Sequence, residues 1–425
     1  MKFFHIADLH FGKSIYKVSL LEDQEYWMKQ FVDLAVKEKV DAVVIAGDVY
    51  DRGTPSDGAV RILDKMLTML SEYNIPVLMV AGNHDSSQKL AFGSRFFKKQ
   101  GIHISNPLEN SKTLSSITMN DKYGPVTFWL MPYAYPALIG KALDREDIKN
   151  QNYDFAVQAL LAEQAIDFTQ RNVLVAHQNV TKNGEETERG GSESTVGGVG
   201  KIDYTAFEKF DYVALGHIHS NYCVGKETIR YAGSPMCYHF DETHQPDKGP
   251  ILVEIGPKGE EISAKVIKIP SLHPMRELKG TLAEIPGKIT NMEKDLKKDE
   301  NNKARGAYVK IIVTDQPIRP EISNYLRDLL NSSHSILMEI TSEYNRSFGN
   351  LQEVTYDKIK GKSVEELFGI FFSERSEDNE MPDDKDRQFL QFAGELQEKL
   401  SNNTEETMDE LADELLDYLK KQEEV

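Results

Sequence analysis

Cysteine is almost absent from this chain: Cys223 and Cys237 are the only two in 425 residues. That excludes a disulfide framework, and their spacing is not that of a thiolate metal site, so both read as ordinary reduced residues. No apolar run approaches the ~20 residues that span a bilayer, which leaves no candidate transmembrane helix. There is no charged-then-apolar leader either, strand-like residues beginning almost at once, so the expectation is a soluble, cytoplasmic protein. Positive charge is also in deficit, the net charge being −18. From Ser373 to Val425, however, 18 acidic residues face 6 basic ones, a net of −12 that leaves only −6 for everything before. The acidic excess belongs to the tail. Charge therefore does not exclude a nucleic-acid partner for the body, and gives it no support. The length allows two or three domains with a substantial core, and a globular enzyme or enzyme subunit is the default.

What the chain does have is a repetition. Five short apolar runs each stop at a residue that can bind a metal. Phe3 to Ala7 ends in Asp8 and His10, Ala42 to Ala46 in Gly47-Asp48, and Val77 to Ala81 in Gly82-Asn83-His84-Asp85. Val173 to Ala176 ends in His177, and Tyr212 to Leu215 in Gly216-His217-Ile218-His219. Runs of this length and composition read as strands buried on both faces, and ligands gather beyond the carboxyl ends of such strands.

Singly, each signal is bland, because a strand-end histidine is more often structural and Gly-Asp is a common turn. Five in succession, all at the same end of their strands, predict one site for two metal ions. Two divalent ions roughly 3.5–4 Å apart need a bridging carboxylate and separate ligands on each side. Asp48 is the bridge, Asp8, His10 and His219 complete one ion, and Asn83, His177 and His217 the other. Imidazole, carboxylate and amide without thiolate favour Mn²⁺, with Fe, Zn or Mg²⁺ open.

The order D-x-H, G-D, G-N-H-D, H, G-H-x-H resembles the calcineurin-like metallophosphoesterase superfamily. Ile6 to Lys13, Gly190 to Gly198 and Asp211 to His219 are, more narrowly, similar to its bacterial DNA-repair nuclease subunits. The resemblance implies an α/β fold, a two-sheet β-sandwich flanked by helices, with a small α+β capping domain and C-terminal helices. It also implies a manganese-dependent exonuclease and endonuclease acting on ends and hairpins of double-stranded DNA with an SMC-like ATPase. His84 matches the family's catalytic histidine, with Asp85 expected to steady it. Where some relatives carry a histidine near the metals, this chain has Asp51, which is left outside the ligand set. A small-substrate phosphodiesterase or phosphatase would share every ligand, and a silent DNA-end scaffold would be expected to have lost some.

The first ~270 residues alternate strands with helical stretches at Leu20 to Lys39, Ser56 to Tyr73, Ser86 to Lys99 and Asn152 to Gln170. The expected division is a nuclease domain over 1–272, a capping and DNA-binding domain over 273–344, a linker over 345–362 and a helical partner-binding region over 363–425. In the second unit, strands at Arg276 to Ile285, Ala307 to Thr314 and Ile336 to Ser342 are separated by helices at Gly287 to Lys298 and Pro320 to Leu330. Gly190 to Gly200 reads either as a substrate-side loop or as a flexible connection. Ile62, Leu63, Met66, Leu67, Met69 and Leu70 cover a broad helical arc, which the family's homodimer would explain and deep packing would explain as well. Near the end, Ser363 with Glu366 makes a capping box, and Phe368, Phe371, Phe389 and Phe392 lie on apolar stripes of acidic helices. Those faces suit docking on the ATPase. No ATP site is read in this chain.

Overall fold

The computed structural model describes residues 1–184, 200–244, 248–298, 306–331 and 335–344. All of them belong to the compact unit Met1–Tyr344. Most of the Gly190 to Gly200 loop, the linker and the C-terminal helices lie outside the described residues.

The strands of the first sheet are β1 (Lys2–Ile6), β2 (Ala42–Ala46), β3 (Val77–Val80) and β4 (Ile102–Ile104), joined later by β11 (Ile251–Glu254) and β12 (Ser263–Val266). The second sheet takes β5 (Ser115–Asp121), β6 (Gly124–Met131), β7 (Arg171–His177), β8 (Tyr212–Gly216), β9 (Tyr222–Val224) and β10 (Lys226–Tyr231). Their orders are β12-β11-β1-β2-β3-β4 and β9-β10-β8-β7-β6-β5. β1 to β4 are parallel, as are β6, β7, β8 and β10, and the edges are antiparallel.

Alternation explains the continuous apolar runs, because successive side chains point to opposite faces. Phe3, Val44 and Ala46 meet Phe128, Val173, Val175 and Tyr212 between the sheets. Phe4, Val43 and Ile45 face outward to Trp27, Phe31, Met66 and Leu70 of helices α1 (Leu21–Glu38) and α2 (Asp57–Glu72). On the far side, Leu174, Ala176 and Val213 pack with Ile139 of α5 (Pro136–Leu143) and Leu160 of α6 (Tyr153–Ala162). A two-sheet sandwich flanked by helices results, as expected.

Three expectations need correction. Ser86 to Lys99 is not one helix but two single turns, α3 (Ser87–Leu90) and α4 (Ser94–Phe97), because Gly93 at φ 74° breaks the run. The Asn152 to Gln170 helix stops at Ala162. On α2, Ile62, Leu63, Met66 and Leu70 are buried, and Leu67 and Met69 are half-buried against the same core. Packing thus accounts for that apolar arc.

Beyond Leu272, β13 (Met275–Gly280), β14 (Tyr308–Val313) and β15 (Ile336–Ser342) form a parallel sheet with α7 (Ile285–Lys298) and α8 (Pro320–Asn331). It has its own core around Ile285, Val309, Ile311 and Leu326. Asp23 of α1 ties it to the sandwich, accepting from the Tyr308 hydroxyl at 2.7 Å and the His273 N–H at 3.0 Å. Among the described residues no helix is long and apolar enough to cross a membrane.

Candidate metal centre

All five motifs converge at the carboxyl ends of β1, β2, β3, β7 and β8, with one rim shared by both sheets. The backbone there is unusual. Asp8, His10, Asp48 and His217 have φ of 53°, 43°, 47° and 105°. Non-glycine residues rarely adopt such values, and they persist only where the surroundings over-determine them. Here the loops are tied to one another. The Asp8 and His10 N–H groups donate to the carbonyls of Gly47 and Asp48 at 3.1 and 2.9 Å. The His217 N–H donates to Asp8 Oδ1, and the His84 N–H to Asp48 Oδ1, both at 2.9 Å. Two glycines permit this approach. A Cβ on Gly82 would overlap the Asp48 carboxylate, and one on Gly216 the Ala46 carbonyl.

The seven sequence-derived ligands come together in two overlapping groups. Ligand atoms of Asp8, His10 and His219 lie within 4.8 Å of one another, as do those of Asp8, Asp48 and His177. His10 Nε2 and His219 Nε2 face each other at 3.1 Å. On the opposite side, Asn83 Oδ1 is 2.9 Å from His177 Nε2 and 3.1 Å from His217 Nδ1. Asp48 Oδ2 lies between the groups, 3.6 Å from His10 Nε2 and 3.3 Å from His177 Nε2. Six of the seven are buried, whereas Asn83 is exposed and His84 half-buried, so the open face of the site carries Asn83 and His84.

These residues fit divalent ions. Asp8 Oδ2 and Asp48 Oδ2 are buried without a hydrogen bond among the described residues, an expensive state for carboxylates unless a cation sits beside them. The electrostatics carry the same strain. Burial pushes Asp8 up to about 7, against the pull of His177 and His219. At Asp48 burial is outweighed by His177 and His10, which hold the carboxyl well below its usual range. His177 in turn resists its burial because of Asp48 and rises to about 9. A proton on imidazole supplies the positive charge that a metal cation would bring.

The remote imidazole nitrogens are also engaged. His177 Nδ1 donates to the Ala46 carbonyl at 2.8 Å, and His219 Nδ1 lies 3.2 Å from Glu242 Oε1. Asp51 Oδ1 is 3.5 Å from His10 Nδ1. Sequence reasoning missed Glu242 altogether, since it belongs to no motif. Asp85 acts on the loop: its oxygens accept from the N–H groups of Gly82, Val49 and Tyr50 at 2.9, 3.0 and 2.9 Å. His84 Nδ1 donates instead to the Asp51 carbonyl at 3.0 Å. Asp85 thus steadies His84 by fastening the segment that carries it.

This fold and rim define a class. Residues 1–221 match the model of the calcineurin-like phosphoesterases, and the chain belongs to that family. Residues 271–376 match the model described as the type 5 capsule protein repressor C-terminal domain. Within the family the chain is similar to the SbcD subunit of the nuclease SbcCD from Staphylococcus saprophyticus, 34% identical over 284 residues that cover 66% of this chain and 72% of that protein. It is also similar to the SbcD subunit from Staphylococcus epidermidis, 34% identical over 258 residues, or 60% of this chain and 66% of that one.

Proposed function

We propose that the chain is the nuclease subunit of a DNA-processing complex, an exonuclease and endonuclease that hydrolyses phosphodiester bonds at ends and hairpins of double-stranded DNA in repair and recombination. The observation that carries this reading is the position of Asp48 Oδ2 between His10 Nε2 and His177 Nε2, where one carboxylate can serve two ions. Asp8, His10 and His219 would hold one ion, and Asn83, His177 and His217 the other. Bound divalent ions, Mn²⁺ by the donor set or else Mg²⁺, supply the Lewis acidity and activated water that displacement at phosphorus needs.

The remaining tasks fall to the chain. Asp8 and Asp48 balance the cationic charge and fix its position. With its Nδ1–H committed to the Asp51 carbonyl, His84 has Nε2 left to protonate the leaving oxygen or to stabilise the charge that develops there. Asp85 keeps that segment from shifting. Residues 273–344 act as a capping, DNA-binding unit and 345–362 as a linker. Residues 363–425 dock on an SMC-like ATPase of the SbcC kind, the partnership the relatives' names express. Exposed Phe92 and Phe96, on the segment that follows β3, support a homodimer and hence a heterotetramer with the ATPase.

The test is cleavage of blunt and hairpin duplexes with Mn²⁺ or Mg²⁺, with and without the ATPase, for the native chain and Asp48→Asn. Metal-dependent duplex cleavage that disappears in Asp48→Asn is expected. Hydrolysis of a small phosphodiester with no duplex cleavage under any of these conditions would overturn the reading.

A further inference from the structure

The histidines of the metal centre differ in what stands behind them. Glu242, 2% exposed, sits 3.2 Å from His219 Nδ1. Its other oxygen is 2.7 Å from Lys248 Nζ, which also donates to the His219 carbonyl at 2.8 Å, and it accepts from Ser234 Oγ at 3.2 Å. Asp51 stands in the same relation to His10, 3.5 Å from its Nδ1 and 3.0 Å from Lys13 Nζ. Two carboxylate–lysine pairs, from unrelated parts of the sequence, thus back the two imidazoles that face each other at 3.1 Å. His177, on the other side of Asp48, is backed only by the neutral Ala46 carbonyl.

A carboxylate on the remote nitrogen fixes the tautomer, orients the ring and makes the ligating nitrogen more basic, and loss of such a partner typically costs 10–100-fold in metal affinity. A carbonyl orients but adds no charge. A lysine at each carboxylate keeps its charge paired in a poorly hydrated seat. We infer that the two metal positions are unequal. The one served by His10 and His219 is the tighter, and Glu242 and Asp51 are the positioning residues that make it so. This rests on the two-ion reading above and adds to it an order of filling and two residues.

The experiment is Mn²⁺ binding to the full chain, following free Mn²⁺ by its electron paramagnetic resonance signal. The native chain should take up two ions in two resolved steps. Glu242→Gln and Asp51→Asn should each weaken the tighter step about 10–100-fold and spare the weaker one, whereas Asn83→Ala should weaken the step they spare. Because Glu242→Gln leaves Lys248 buried opposite a neutral group, Glu242→Gln/Lys248→Met removes both charges and should show the same selective loss. Equal weakening of both steps, changes in different steps for the two carboxylates, or no change would each overturn the inference. A native chain that binds a single ion would instead overturn the two-ion reading beneath it.

Discussion

His5 and Tyr212 meet across the two sheets, His5 Nδ1 lying 3.1 Å from the Tyr212 hydroxyl. His5 Nε2 is 3.2 Å from the Leu215 carbonyl, which can only accept, so the ring is neutral, with its proton on Nε2 and Nδ1 accepting from tyrosine. Burial, with Arg230 nearby, pushes His5 down to about 3 despite the Leu215 bond.

The linkage has a definite sign. A histidine whose folded pKa lies below its unfolded value of about 6.5 favours unfolding as it takes up a proton. Its neutral-state stability is complete above pH 6.5 and is lost progressively as pH falls towards 3. His5→Gln should therefore lose some stability at pH 7.5, about 1–3 kcal/mol for a buried polar contact. Its acid slope below pH 6.5 should be shallower than the native one by up to about 1.4 kcal/mol per pH unit. Urea unfolding at several pH values measures both, and parallel slopes would exclude His5 as the group responsible.

Glycine at the rim makes the second case. A Cβ on Gly82 would collide with the Asp48 side chain and backbone, both of which are held by neighbouring loops. Gly82→Ala should displace Asp48, lower metal content and cost about 1–3 kcal/mol of stability. Gly287, in α7, has nothing near its missing Cβ, and Gly287→Ala should be neutral or gain up to about 1 kcal/mol. Metal analysis and thermal unfolding of the pair separate collision from a generic glycine effect.

The strands that carry the site were legible because each is buried on two faces and ends abruptly in polar residues, as at Val44-Ile45-Ala46-Gly47-Asp48. Nothing in residue identity announces that Asp8, His10, Asp48 and His217 adopt positive φ, since their conformation is imposed by hydrogen bonds between loops distant in sequence. Glu242 was illegible for a related reason: it lies 23 residues from His219 in a segment without periodicity, and only the fold brings them together. The edge hairpin of β5 and β6 escaped notice because Ser115–Asp121 alternates between half-buried and exposed, with polar residues at most positions.

Asp23 gives a third prediction. It is 3% exposed and accepts from the Tyr308 hydroxyl and from both the main-chain N–H and the ring of His273. Asp23→Ala leaves those donors buried without an acceptor, at about 1–3 kcal/mol per group. The loss should be local, with faster hydrogen exchange in β13, β14 and β15 and little change in β1, β2 and β3. Asp23→Asn, which keeps an acceptor, should recover part of it. Uniformly faster exchange throughout the chain would show that Asp23 supports the whole fold rather than this junction.

The final prediction divides chemistry from metal binding at two neighbouring positions. Ligand atoms of His84 lie within 4.8 Å of those of His10 and Asp48, so geometry alone would admit His84 as a ligand. Its Nδ1, however, is committed to the Asp51 carbonyl, while Asn83 Oδ1 touches both His177 and His217. On the proposed roles, His84→Gln should keep both ions and DNA affinity, and the rate alone should fall. Loss of a positioned acid usually costs ~10²–10⁴-fold, about 3–5 kcal/mol at 1.36 kcal/mol per decade. Asn83→Ala should instead release one ion, and raising Mn²⁺ should restore part of its activity. Cleavage rates across a Mn²⁺ titration, together with bound metal measured directly, distinguish the two. If His84→Gln loses an ion or recovers with added Mn²⁺, His84 belongs to the coordination shell, and proton transfer at the leaving oxygen must be assigned elsewhere.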